Sequence, residues 1–136
     1  MIYEGTVQYT AMVDGNEKVK KNVFLIDNCN LFAQAEDILL EFNADLKDVD
    51  VIAIKRSKLK EIINTPTDEY DKIFIADIMD IFTDENGEEK ELTYKVAGYA
   101  KDIKAAHEFM DEYLKQGFEM QLVGLKLTRI YGVLNS

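Results

Sequence analysis

The feature that most constrains this chain is a pattern of hairpin turn, helix and strand that occurs twice at nearly constant spacing. Asp14-Gly15 and Asn86-Gly87 are both strong short hairpin signals, because glycine adopts positive φ without a steric penalty. Gly15 and Gly87 lie 72 residues apart, as do Glu17 and Glu89, Leu31 and Ile103, Ile38 and Met110, and Phe42 and Leu114. Ile54 and Leu127, in the strands that follow the helices, are 73 apart. A turn and a helical stripe that keep a common offset are expected of a duplicated unit rather than of two unrelated halves.

Each unit reads as strand, hairpin, strand, helix, strand. Residues 2–13 alternate Tyr3, Gly5, Val7, Tyr9, Ala11 and Val13 against mostly polar neighbours, which is the period of a half-buried strand. A return strand is expected over 18–26. A helix should follow, with Asn30 as its cap and Leu31, Ala35, Ile38, Leu39 and Phe42 on one face. A β-branched stretch over 49–58 completes the unit. The only proline, Pro66, marks a link. The order then repeats with strands over 72–83 and 89–98, and a helix capped by Asp102 with Ile103, Ala106, Phe109, Met110, Tyr113 and Leu114 on one face. Gly117 closes that helix and a last strand covers 120–133. The expected fold is α+β: one domain of residues 1–136 built from two tandem ββαβ units, 1–64 and 70–136, related by a pseudo-two-fold axis. Two helices should pack on one side of antiparallel sheet. Whether the strands form one sheet or two is left open.

The short motifs along this frame resemble those of a small uncharacterised family associated with Bacteroidetes and their phages. They are Val7 and Tyr9 in the first strand, Asp27, Ala35-Glu36, Ile54-Lys55-Arg56 followed by Glu61-Ile62, and the acidic turn Asp84-Glu85 with Gly87 and Glu89-Lys90. The resemblance implies provenance and fold; it implies no chemistry.

Charge narrows the function classes. The formal net charge is −10, from 16 basic and 26 acidic residues, and both halves of the chain are acidic. Nucleic-acid binding through phosphate neutralisation needs a broad basic footprint, which this composition lacks. There is no apolar run of about 18 residues to span a membrane, and the opening residues lack the features of a signal peptide. A single cysteine, Cys29, gives no internal disulfide. The expected location is cytoplasmic, the host cytoplasm if the chain is phage-encoded.

Catalytic and metal constellations are not found. His107 is the only histidine, and it lies in a helix beside Ala106 and Glu108, without the ligands of a zinc site. Cys29 reads as a small buried apolar residue. The acidic stretch from Asp84 resembles a calcium loop, but Gly87 comes too early and Lys95 stands where the closing carboxylate belongs. Asp77 and Asp80 have opposite parity on one strand, so they do not form a carboxylate pair. No glycine-rich phosphate loop opens a helix, and Gly98 and Gly124 suit close backbone approach or a bulge. No catalytic residue, metal site or cofactor is assigned.

Arginine is the exception. The chain has only Arg56 and Arg129, 73 apart, each in the third strand of its repeat. The guanidinium fork pairs with carboxylate or phosphate through two hydrogen bonds. Lys55 and Lys58 adjoin the first arginine, Lys126 and Thr128 the second, so these six residues are a candidate ligand-binding set. Local ion pairs to carboxylates are the simpler expectation for both arginines. The leading functional expectation is a non-enzymatic binding or accessory protein acting through protein–protein contact or self-association. A small-ligand binder holding a nucleotide or other phosphorylated molecule at the arginines is the alternative.

Overall fold

In the computed structural model, residues 1–117 and 119–135 are described. The elements follow in the order β1 (Tyr3–Val13), β2 (Asn16–Asp27), α1 (Phe32–Phe42), β3 (Lys47–Arg56), β4 (Leu59–Ile62), β5 (Lys72–Thr83), β6 (Glu89–Ala100), α2 (Ile103–Leu114), β7 (Met120–Leu127) and β8 (Gly132–Asn135). The fold is α+β, with two four-stranded sheets of order β3-β1-β2-β8 and β4-β6-β5-β7. Two compact units result: residues 1–57 with 130–136, and residues 58–129.

Within each unit the hairpin supplies the two central strands. Asp14 and Gly15 both have positive φ, at 52° and 81°, the requirement of a two-residue primed turn whose twist matches its strands. The second hairpin is longer. Its loop is organised by Asp84, whose Oδ1 accepts from the backbone N–H groups of Asn86 and Glu88, both at 2.9 Å. That carboxylate therefore serves its own backbone. In the first unit α1 covers Tyr3, Val7, Phe24 and Ile26 with Ala35 and Leu39. In the second, α2 covers Phe74, Ala76, Ile78 and Val96 with Ala106 and Met110.

Two short strands depart from the expected layout. The stretch expected as one last strand, 120–133, is divided into β7 and β8. Thr128 ends β7 by donating both its backbone N–H (2.8 Å) and its hydroxyl (2.9 Å) to the Ile73 carbonyl. The chain then enters the first unit, where β8 pairs parallel with β2 through Phe24↔Gly132 to Asp27↔Asn135. Likewise the 49–58 strand ends at Arg56, and β4 pairs parallel with β6 from Leu59↔Lys95 to Ile62↔Ala97. Each sheet is thus completed by a strand from the other half of the chain. The two sheets are mainly antiparallel, with one parallel pair each.

β4 is held by side chains as well as by its ladder. Asn64 places its Oδ1 2.6 Å from the Tyr99 N–H and its Nδ2 2.9 Å from the Tyr99 carbonyl, extending the strand pairing with a side-chain amide. The Glu61 carboxylate accepts from the Tyr113 hydroxyl at 2.8 Å, and the Lys60 ammonium lies 4.3 Å from the Tyr94 ring centre.

The strand register corrects the spacing of the repeat. Gly5 faces Phe24 and Ile54, while Ala76 faces Val96 and Leu125. β1, α1 and β3 therefore match β5, α2 and β7 at an offset of 71, and only the return strands match at 72. One extra residue in the second hairpin is offset by a shorter link into α2. Both units carry a bulge at the matching place, Ile52 in β3 and Val123 in β7. Gly124, beside the second bulge, leaves room for the Asp77 carboxylate, which a Cβ would meet at 2.6 Å.

Helix capping differs in part from expectation. Asp102 caps α2, its Oδ1 accepting from the Ala105 N–H at 2.8 Å. Asn30 does not cap α1: the helix starts one residue later, after an extended Leu31, with no side-chain cap. Gly117 is not the cap of α2 either, because Lys115 ends that helix in a right-handed conformation that needs no glycine. Leu31, Phe42 and Ile103 are exposed rather than buried, since the covered stripe of each helix is narrower than its apolar pattern. Asp102→Ala is accordingly expected to lower stability by about 1 kcal/mol, and Asn30→Ala by no more than a few tenths. Urea unfolding of the two variants measures this, with unchanged m-values expected.

Candidate functional site

The six residues of the arginine set fall at the ends of β3 and β7. Arg56 closes β3 opposite Tyr3 and is exposed. Lys55 is exposed and lies 3.0 Å from Glu4 on the neighbouring strand. Lys58 is exposed just before β4. Lys126 lies opposite Ile75, and Arg129 is exposed in the connector after β7, outside the strand in which it was expected. Thr128 uses its hydroxyl to close β7, so it has a structural task. Tyr3 faces Arg56, whereas its counterpart Phe74 faces Leu127. Arg56 therefore matches Leu127, and Arg129 matches Lys58. The matched placement of the two arginines does not hold in the register, although Lys55 and Lys126 do match. Neither arginine forms an ion pair among the described residues.

The other singled-out residues have ordinary surroundings. Cys29 is fully buried, with its thiol 3.4 Å from the Leu31 carbonyl. His107 is exposed on α2, 3.5 Å from Asp111 one turn on. Asp77 lies 3.2 Å from Lys95 across the β5–β6 pair. Among the described residues no three His, Cys, Asp or Glu side chains converge as metal ligands. No helix among them is long and apolar enough to cross a membrane.

Of the places in the second unit that combine aromatic and ionisable groups, two involve α2. The first is a groove of about 310 Å³ between α2 and the Thr67–Tyr70 turn, lined by Glu69, Tyr70, Lys101, Glu108, Phe109 and Glu112. The turn is closed by reciprocal backbone hydrogen bonds between Thr67 and Tyr70, at 3.2 and 3.3 Å, and by the Thr67 hydroxyl accepting from the Tyr70 N–H at 3.1 Å. This sets the Tyr70 ring edge-to-face against Phe109, with centres 5.3 Å apart and planes at 89°. Glu108 and Glu112 follow at helical spacing, one turn apart on the same face. The sequence signals for this groove are the acidic run around Tyr70 and the position of Phe109 on its helix. Their meeting is a tertiary fact.

The second place is the polar latch over β4. Tyr113, Tyr94 and Glu61 form a connected group, and the Tyr94 hydroxyl also reaches the Met120 sulfur at 3.1 Å. Burial first, and then hydrogen bonding to Glu61 and Tyr94, pushes the Tyr113 phenol well above its ordinary value. The fold thus favours the neutral phenol. Its stabilising contribution is complete below the ordinary tyrosine value of about 10 and is lost as pH rises through the raised value. In an ultraviolet titration of phenolate formation, Tyr113→Phe should remove a tyrosine that ionises well above the ordinary value of about 10.

Comparison with curated proteins finds no match, and comparison with solved structures finds none either. A family model does match, over residues 1–136, and its description is a domain of unknown function (DUF4494). The chain belongs to that uncharacterised family.

Proposed function

We propose that this is a non-enzymatic binding or accessory protein that acts through protein–protein contact at the open edges of β2 and β6. The supporting observation is the shortness of β8 and β4, the outer strands beside β2 and β6. β8 pairs with β2 only over Phe24–Asp27, and β4 pairs with β6 only over Leu59–Ile62 against Lys95–Ala97. Over Asn16–Val23 and Glu89–Tyr94 the hairpins present one side to which no strand among the described residues is paired, the Val23 carbonyl alone accepting from the Tyr131 N–H. Such an edge offers a row of backbone donors and acceptors to an incoming strand.

Charge restricts what such an edge accepts. The β2 stretch carries Lys18, Lys20 and Lys21 against Glu17, and the β6 stretch carries Glu89 and Glu91 against Lys90. Lysines on an edge oppose pairing with a like edge, so the β2 stretch suits an acidic partner segment and the β6 stretch a basic one. The resemblance noted in the sequence supports a phage-encoded accessory protein working in the host cytoplasm. Hydrogen exchange on a complex captured from cells tests the reading. Protection confined to Asn16–Val23 or Glu89–Tyr94 is expected. A captured partner that leaves both stretches exchanging at their free rates contradicts it.

A second reading, capture of a nucleotide or other phosphorylated small molecule at the Arg56 or the Arg129 site, draws on one observation: neither arginine is ion-paired among the described residues. Native mass spectrometry distinguishes it, because a bound mass should vanish in the Arg56→Glu, Arg129→Glu double variant. A clean unliganded mass in the parent chain removes this reading.

A further inference from the structure

We propose that the groove between α2 and the Thr67–Tyr70 turn receives a cationic side chain of a partner protein, an arginine in preference to a lysine. The proposal rests on the protein-contact reading but concerns a different surface from the strand edges. The groove holds the edge-to-face pair of Tyr70 and Phe109 within a rim of three carboxylates, Glu69, Glu108 and Glu112, against one ammonium, Lys101. Glu112 is engaged by Lys115 at 2.8 Å. Glu69 and Glu108 have no ion pair among the described residues, so both remain available to a guest.

These groups select the guest by its chemistry. Aromatic ring faces attract cations through their quadrupole, and carboxylates beside an apolar floor exert a stronger field than carboxylates in open water. An anion is repelled by the excess of carboxylates. Arginine is preferred to lysine because its planar guanidinium stacks on a ring while its N–H groups reach two carboxylates together. At about 310 Å³ the groove is at the lower limit of small-molecule sites, a volume suited to one side chain and its flanking backbone. Ala105 and Phe109, four residues apart on α2, provide the apolar floor on which the aliphatic part of that side chain can lie.

The full chain, with isotope label in its aromatic rings, is titrated with three blocked tripeptides, Gly-Arg-Gly, Gly-Lys-Gly and Gly-citrulline-Gly, while the ring resonances are followed by NMR. Saturable shifts at Tyr70 and Phe109 are expected, strongest with arginine, weaker with lysine, and absent with citrulline, which keeps the shape and lacks the charge. Glu69→Gln with Glu108→Gln should weaken arginine binding by about three- to tenfold with an unchanged backbone spectrum. Tyr70→Leu, on the turn and outside the core, should weaken it as well. Equal response to citrulline, an unaffected glutamine variant, or the absence of a saturable shift with arginine each overturns the proposal. These outcomes do not depend on capturing a partner, so the groove and the strand edges stand or fall separately.

Discussion

The parallel pairing of β8 with β2 and of β4 with β6 is the interaction on which each unit depends. A parallel neighbour cannot be supplied by a hairpin; it requires a connection that leaves the sheet and returns. Here the chain leaves the first unit after Ser57 and re-enters it after Arg129. Leu134 on β8 packs on the core of the first unit, the ring of Tyr131 lies 5.2 Å from that of Phe24, and the Tyr131 N–H bonds the Val23 carbonyl at 2.7 Å. Ile63, just beyond β4, packs on the core of the second unit and bonds the Ala97 carbonyl at 2.9 Å. Neither half of the chain contains all the strands of one sheet, so each half supplies part of the core of the other's unit.

Much of this was legible in the sequence because hairpins and amphipathic helices are local. Asp14-Gly15 and Asn86-Gly87 announce their turns through a backbone requirement, and Ala35 with Leu39, or Ala106 with Met110, recur at the helical period. The short strands were not legible. Leu59–Ile62 and Gly132–Asn135 each have four residues, and no proline or turn dipeptide separates them from the strand before. Their membership in a sheet is decided by which edge is free, a property of the assembled hairpins. The same limit applies to the repeat offset. One residue gained in the second hairpin and lost in the link to α2 leaves only the turns and return strands at 72, while β1, α1 and β3 match β5, α2 and β7 at 71.

That single residue changes the reading of the candidate site. Matching Arg56 to Arg129 follows from their sequence spacing, while the ladders make Arg56, opposite Tyr3, the counterpart of Leu127, opposite Phe74. Conversely, the groove at Tyr70 and Phe109 joins an irregular segment to a helix, and no periodicity connects the two. Tyr113 and Glu61, which hold β4 in place, are equally remote in sequence. Residues that act through tertiary meetings are the ones a single sequence conceals.

Native-state hydrogen exchange on Leu134→Asp, with Ile63→Asp as its counterpart, tests the strand exchange most directly. A charge at residue 134 has to be desolvated against the core of the first unit, so exchange in β1, β2 and β3 should accelerate more than in β5, β6 and β7. The reverse is expected for a charge at residue 63. If Leu134→Asp instead accelerates exchange chiefly in β5, β6 and β7, the last strand belongs to its own repeat, and the account of two mutually completed sheets is wrong.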